Sequence, residues 1–301
     1  MKISLIKTKA TTLLETCKSQ VVRIMVLLTL IGLIPSLFND SENIFFQMIY
    51  FILSIAFLTF EHGFVVSSLK VARNNADSLS DDDIFVGFKR WKELFPTYLL
   101  SNFIALGITV LVGLLLIIVF SILFGSVISN MSTTIMSSIL QESDPAYAIY
   151  GLMTQVPSLL FVFLLIFLII LVLEVVISGL LFAVPYLLEE YGMHNMQAIK
   201  ESCSIMKGHV WDYIKLELSF VGWSILTGIM MVMILSIFEM IPILNQMPIL
   251  GSMIASIISG IVSVYLYIPR YQVSKAILFE EIAYYRYNHS YNDFRGDIYG
   301  E

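Results

Sequence analysis

Charge is scarce in this 301-residue chain: only 13% of its positions are Asp, Glu, Lys or Arg, where soluble domains carry about 25%. So little charge cannot cover a soluble surface, which points to lipid as the solvent. Cysteine is nearly absent too. Cys17 and Cys203 are the only two, and both fall in segments assigned below to the cytoplasmic side, which argues against a disulfide framework. The chain has no CxxC pair, HExxH, Gly-x-Ser-x-Gly elbow or Walker loop, so no metal, cofactor or catalytic set is expected. A net charge of −6 speaks against nucleic acid. The basic residues ahead of the first apolar run, with no small-x-small pattern after it, do not read as a cleaved leader.

What the chain has is hydrophobicity, at 58% of its residues. Six apolar runs stand out, near 21–38, 44–69, 98–124, 156–188, 214–238 and 249–269. Each offers roughly the 20 residues a bilayer demands, and helices satisfy their own backbone groups there. The fold class expected is all-α, a polytopic bundle of six transmembrane helices. The first run is short, between Arg23 and Asn39 with Gly32 and Pro35 inside it, so Arg23 must snorkel. The fourth is over-long, with Pro185 placed to bend its inner end; Pro157 and Pro269 also lie near run ends. All 17 basic residues sit in the N-terminal segment, the second and fourth connections and the C-terminal segment. The other connections, near 39–43, 125–155 and 239–248, hold acids such as Asp40, Glu42, Glu142, Asp144 and Glu239 and no base. By the positive-inside bias, both termini are cytoplasmic.

Stretches preceding the odd-numbered runs carry one apolar stripe at helical spacing, near 5–20, 81–95 and 195–210. The stripes are Ile6, Ala10, Leu13, Leu14, Cys17 and Val21; Ile84, Phe85, Phe88, Trp91 and Phe95; and Met196, Ile199, Cys203, Met206 and Val210. They are expected to lie in the interface as cytoplasmic helices. Ser80 followed by Asp83 resembles a capping box, and Asp81, Asp82 and Asp83 read as helix-capping, solvent-facing acids rather than a cation site. Residues 1–281 then form one membrane domain, and 282–301 a tyrosine-rich cytoplasmic tail that starts at the interface and ends disordered. The recurrence of stripe, run, outward loop and run has the form of a parallel repeat, though residue identity supports it little beyond Trp91 and Trp211.

Few residues could carry chemistry. Glu174 is the one acid well inside a long apolar run, with Ser178 one turn on. It is a candidate intramembrane cation or proton site, against the plainer reading of a protonated or hydrogen-bonded structural carboxyl. Lys207, Gly208, His209, Trp211, Glu217 and Trp223 form a candidate interfacial elbow. Gly208 would end a helix, Trp211 would anchor at the interface, and Lys207 or His209 paired with Glu217 would lock the turn or meet a lipid headgroup. His62, His194 and His209 read as interface imidazoles. Ser252, Ser256 and Gly260 stack at four-residue steps, beside a second line of Gly251, Ala255, Ser259 and Ser263. Such a face lets a neighbouring helix, of this chain or a partner, approach closely.

The segments Ser202-x3-Met206-Lys207-Gly208-His209-x-Trp211, Leu216-Glu217-Leu218-Ser219-Phe220-Val221-Gly222-Trp223 and Pro269-x-Tyr271 with Phe279-Glu280 resemble the bacterial integral membrane family of unknown function 975 (DUF975). Glu217 stands where that family has aspartate, Val221 where it has isoleucine, and Arg270 separates Pro269 from Tyr271. The resemblance implies an all-helical fold in a bacterial plasma membrane and transfers no catalytic residue. The leading expectation is a non-enzymatic membrane component, an accessory to transport or envelope maintenance. The alternatives are a channel or transporter for a small solute, lipid or peptide that uses Glu174, and a lipid-headgroup enzyme or sensor that uses His209 and Glu217. Expected partners are the bilayer and another membrane protein or a second copy.

Overall fold

A computed structural model describes residues 2–38, 44–129, 157–241 and 248–298. The described residues are helical and contain no strand. The helices are α1 (Ile3–Gly32), α2 (Ile44–Ala56), α3 (His62–Ala72), α4 (Val86–Lys89), α5 (Trp91–Ser129), α6 (Pro157–Leu181), α7 (Val184–Tyr191), α8 (Asn195–Met206), α9 (Val210–Met240), α10 (Pro248–Leu266) and α11 (Ile268–Ile298), with short 3-10 turns between several of them. Asp40, Glu42, Glu142 and Asp144 lie outside the described residues.

Four stretches are long and apolar enough to cross a membrane: Ile44–Ala72, Trp91–Ile122, Leu164–Tyr191 and Val210–Phe238. A fifth forms if α10 and the first half of α11, bent by 56° at Tyr267, count as one. This differs from the six expected: the last run qualifies only as that bent pair, and the first does not qualify. There the stretch near 5–20 and the apolar run join in one helix, kinked at Cys17 and ending at Gly32. Beyond Arg23 only Ile24–Gly32 remains, about 14 Å of helix at 1.5 Å per residue. The bend expected at Pro185 is present, since the chain breaks between α6 and α7 just before it, and Pro269, expected near a run end, sits in the first turn of α11. A proline there needs no intrahelical donor.

The chain forms two compact units, one of residues 1–101 with 179–301 and one of residues 102–178. In the first unit α1 is the hub. Its stripe is read correctly from periodicity, but it faces protein rather than lipid: Ile6, Ala10, Val21, Ile24, Met25 and Leu28 are all but inaccessible, and α1 packs on α3, α10 and α11. Close approach to α10 occurs at Gly260, where an added Cβ would come within 3.1 Å of Thr29 on α1. The chain's own first helix therefore occupies the small-residue face at that point. On the neighbouring line, Gly251 meets Phe238 of α9.

The other two stripes also shift. In α8 the buried residues are Ala198, Ile199, Ser202, Ile205 and Met206, while Met196 is exposed. The stretch near 81–95 is a 3-10 turn, Asp81–Phe85, then α4 and the start of α5. Ile84 is buried, but Phe85, Phe88 and Trp91 remain open. The Ser80/Asp83 capping box forms as expected. Asp83 departs from the solvent-facing reading: it is buried and takes two bonds from Lys70, at 2.7 and 2.9 Å.

α11 is helical from Ile268 through Ile298, with Ile282 and Ala283 in the core.

In the second unit the pattern is apolar outside. Leu111, Ile122 and Phe161 are each more than 60% exposed. A water-facing surface of that kind would aggregate; lipid is its natural solvent. The long apolar helices with bare outer faces fit a multi-pass membrane protein.

Candidate functional site

The site begins with a break in the second apolar run. After α2 the chain passes through a 3-10 turn, Phe57–Thr59, and resumes helix at His62. Gly87 of α4 presses on this break: a Cβ there would overlap the Thr59 carbonyl and lie 2.8 Å from the Phe60 Cα. Only glycine permits that approach. The break turns His62 fully inward while leaving Glu61 exposed.

His62 joins three segments. Its Nδ1 is 2.8 Å from the Tyr98 hydroxyl and its Nε2 is 2.9 Å from Glu189 Oε2. An ionised carboxylate only accepts, so Nε2 carries a proton and donates. The same Glu189 oxygen accepts from Arg90 Nη1 at 2.5 Å, and Arg90 grips Glu93 with Nε and Nη2 at 3.0 and 2.6 Å. The result is a chain from Tyr98 through His62, Glu189 and Arg90 to Glu93. Nearby, the Thr97 hydroxyl accepts from the Asn195 amide at 2.8 Å. That bond ties α5 to the start of α8.

Two further clusters flank this chain. Arg73, just after α3, donates to Glu280 of α11 at 2.7 and 2.8 Å and pairs with Glu190 of α7 at 2.5 Å. Burial works against the guanidinium's charge, but these charge-assisted bonds outweigh it and raise its pKa above the ordinary value. Deeper in, Glu217 of α9 accepts the Tyr271 hydroxyl at 2.7 and 3.0 Å and is bonded to Tyr213 one turn back. The Lys275 amine lies 4.5 Å over the Tyr271 ring, with Glu217 and Glu61 as its charged neighbours.

The expected elbow is only partly formed. Gly208, at φ +94°, does end α8, with Lys207 as its cap residue. Trp211 and Trp223 are exposed, as interfacial anchors would be. The pairing expected of Glu217 is not made: Tyr271 takes the carboxylate, while His209 Nδ1 lies 3.5 Å from Asp212, out of line for a hydrogen bond. Among the described residues no hydrogen bond or ion pair joins His209 to Glu217. Glu174, in the second unit, accepts from the Thr109 hydroxyl at 2.7 Å and is exposed, as is Ser178.

Sequence reasoning missed Tyr98, Arg90, Glu189, Tyr271 and Lys275. The available signal was the over-long fourth run ending in Glu189 and Glu190, a pair of acids with no Lys or Arg within one helical turn. Among the described residues no group of three or more His, Cys, Asp or Glu side chains could hold a metal ion. Cys17 and Cys203 are free thiols, and burial pushes both above the usual thiol range.

The helices make this an all-α protein, and its long apolar helices are consistent with a multi-pass membrane protein. The chain belongs to the family described as protein of unknown function (DUF975), which matches residues 1–286. No curated protein and no solved structure matches it.

Proposed function

We propose that this chain is a non-enzymatic, multi-pass component of the bacterial plasma membrane, an accessory to transport or envelope maintenance, with both termini cytoplasmic. The observation that carries this reading is the use of its titratable groups. His62, Arg73, Arg90, Glu189, Glu190, Glu217 and Glu280 are engaged with one another or with tyrosines between helices. Groups engaged in this way hold helices together and are not poised to receive a substrate. Six crossings follow from charge: α1 carries bases up to Arg23, whereas the connection after it carries only acids. The rest of α1, with the Pro35–Phe38 turn, then makes a short first crossing.

Single cysteines placed at positions 142 and 209 in a cysteine-free background test the topology with an impermeant thiol reagent. Labelling of both from the same side sinks it. The non-enzymatic reading is tested by comparing folded protein in the membrane with the phenotype of a deletion strain. Glu189→Gln lowers both together. A variant that keeps full folded protein yet loses the phenotype overturns the reading.

One observation favours transport as a second reading: Glu174 is exposed beside Thr109 in the most apolar part of the chain. Uptake lost in Glu174→Gln at unchanged protein level would support it.

A further inference from the structure

A groove runs between α1 and the bend where α10 meets α11. Its inner part is a cavity of about 240 Å³ lined by Thr11, Leu14, Glu15, Lys18, Arg270 and their neighbours. It adjoins an open trough of about 760 Å³ along Lys18, Val22, Arg23, Val26, Leu27 and Tyr265, within the size range of small-molecule sites, about 300–1,000 Å³.

Two cations, Lys18 and Arg270, line the inner cavity, and Lys7 lies behind Arg270. Arg270 reaches the Lys7 carbonyl with its Nε at 3.4 Å, and Lys7 donates to the Ser219 carbonyl at 3.2 Å from above the Phe220 ring. Among the described residues no ion pair joins Lys7, Lys18 or Arg270 to a carboxylate. Burial and the neighbouring Arg270 charge hold the Lys7 amine below its ordinary range. Arg23 is paired with Asp81 at 2.7 Å, and Glu15 is the one acid in the wall. At the other end the walls are apolar and open, with Tyr265 67% exposed and Leu27 38%. Both walls change from cationic to apolar in the same direction: Lys18 to Leu27 on α1, and Arg270 to Tyr265 across the bend.

We propose that this groove binds an anionic membrane lipid, its phosphate headgroup between Lys18 and Arg270 and an acyl chain along Val22, Val26 and Leu27. A lipid is the ligand whose own polarity changes along its length as these walls do; a free anion would use only the cationic end. The proposal rests on the reading of the chain as a membrane protein.

The test uses the full chain in a non-ionic detergent, with apparent melting temperature followed as phosphatidylglycerol, phosphatidylcholine or inorganic phosphate is added. Phosphatidylglycerol should raise the melting temperature by about 5 °C at a hundredfold excess over its half-saturating level, with little response to phosphatidylcholine or phosphate. Each cation removed near a lipid surface weakens binding about fivefold. Lys18→Gln, an exposed position that folding tolerates, should therefore shift half-saturation about fivefold, and Lys18→Gln with Arg270→Gln about twenty-five-fold. Lys9→Gln, on another face of α1, should behave as wild type. Equal responses to the two lipids, a Lys18→Gln curve matching wild type, or phosphate reproducing the effect each overturns the proposal. Solubility without detergent would instead overturn the membrane reading beneath it.

Discussion

Replacing Glu189 tests whether the chain from Tyr98 to Glu93 holds the first unit together. One oxygen of Glu189 accepts from both His62 and Arg90, on a side chain only 22% exposed. Glu189→Gln keeps an oxygen in place but discharges it. A hydrogen bond to a charged group contributes about 1.5–3 kcal/mol against about 1 for a neutral one, so two weakened bonds cost about 2 kcal/mol. Glu189→Leu removes the acceptor of both bonds, leaves the buried His62 donor without its carboxylate, and costs about 4 kcal/mol. At about 2–4 °C per kcal/mol, these become losses of about 5 and 10 °C in apparent melting temperature in detergent. Glu93→Gln is the control: its side chain is 39% exposed in an i,i+3 pair, worth well under about 1 kcal/mol. His62→Leu combined with Glu189→Leu should be less damaging than the sum of the singles, because removing both partners leaves fewer buried groups stranded. The reasoning is refuted if Glu189→Leu melts within 2 °C of wild type (about the control's shift) or no lower than Glu93→Gln.

Gly87→Ala should lower the melting temperature by about 5–10 °C, because overpacking against backbone costs about 1–3 kcal/mol; Gly107→Ala, with no atom near its missing Cβ, should hold or raise it. Asp83→Ala should destabilise by about 3 kcal/mol through the lost Lys70 pair and capping box, whereas Asp82→Ala, beside it and fully exposed, should leave unfolding curves unchanged. Tyr271→Phe strips Glu217 of a bond shorter than 3 Å and should cost about 1–2 kcal/mol, while His209→Gln should be silent on stability if that imidazole does not serve Glu217.

The sequence by itself determined what depends on near neighbours. Helical class, the apolar runs, the α1 stripe from Ile6 to Val21, the Ser80/Asp83 box, the stop at Gly208 and the break at Pro185 each follow from residues a few positions apart, because propensity, capping and periodicity are local. Tertiary structure decided what those local features meet. An apolar stripe is equally content against lipid or protein, and only packing puts α11, nearly the full chain away, against the stripe of α1. A carboxylate seeks the donor nearest in space, so Glu217 looked paired with Lys207 or His209 in sequence but bonds Tyr271 across the bundle. His62, read from its neighbours as an interface imidazole, becomes the centre of a buried chain because a close approach at Gly87 turns it inward toward Tyr98 and Glu189. The partners of buried polar groups are long-range, and only packing brings them together.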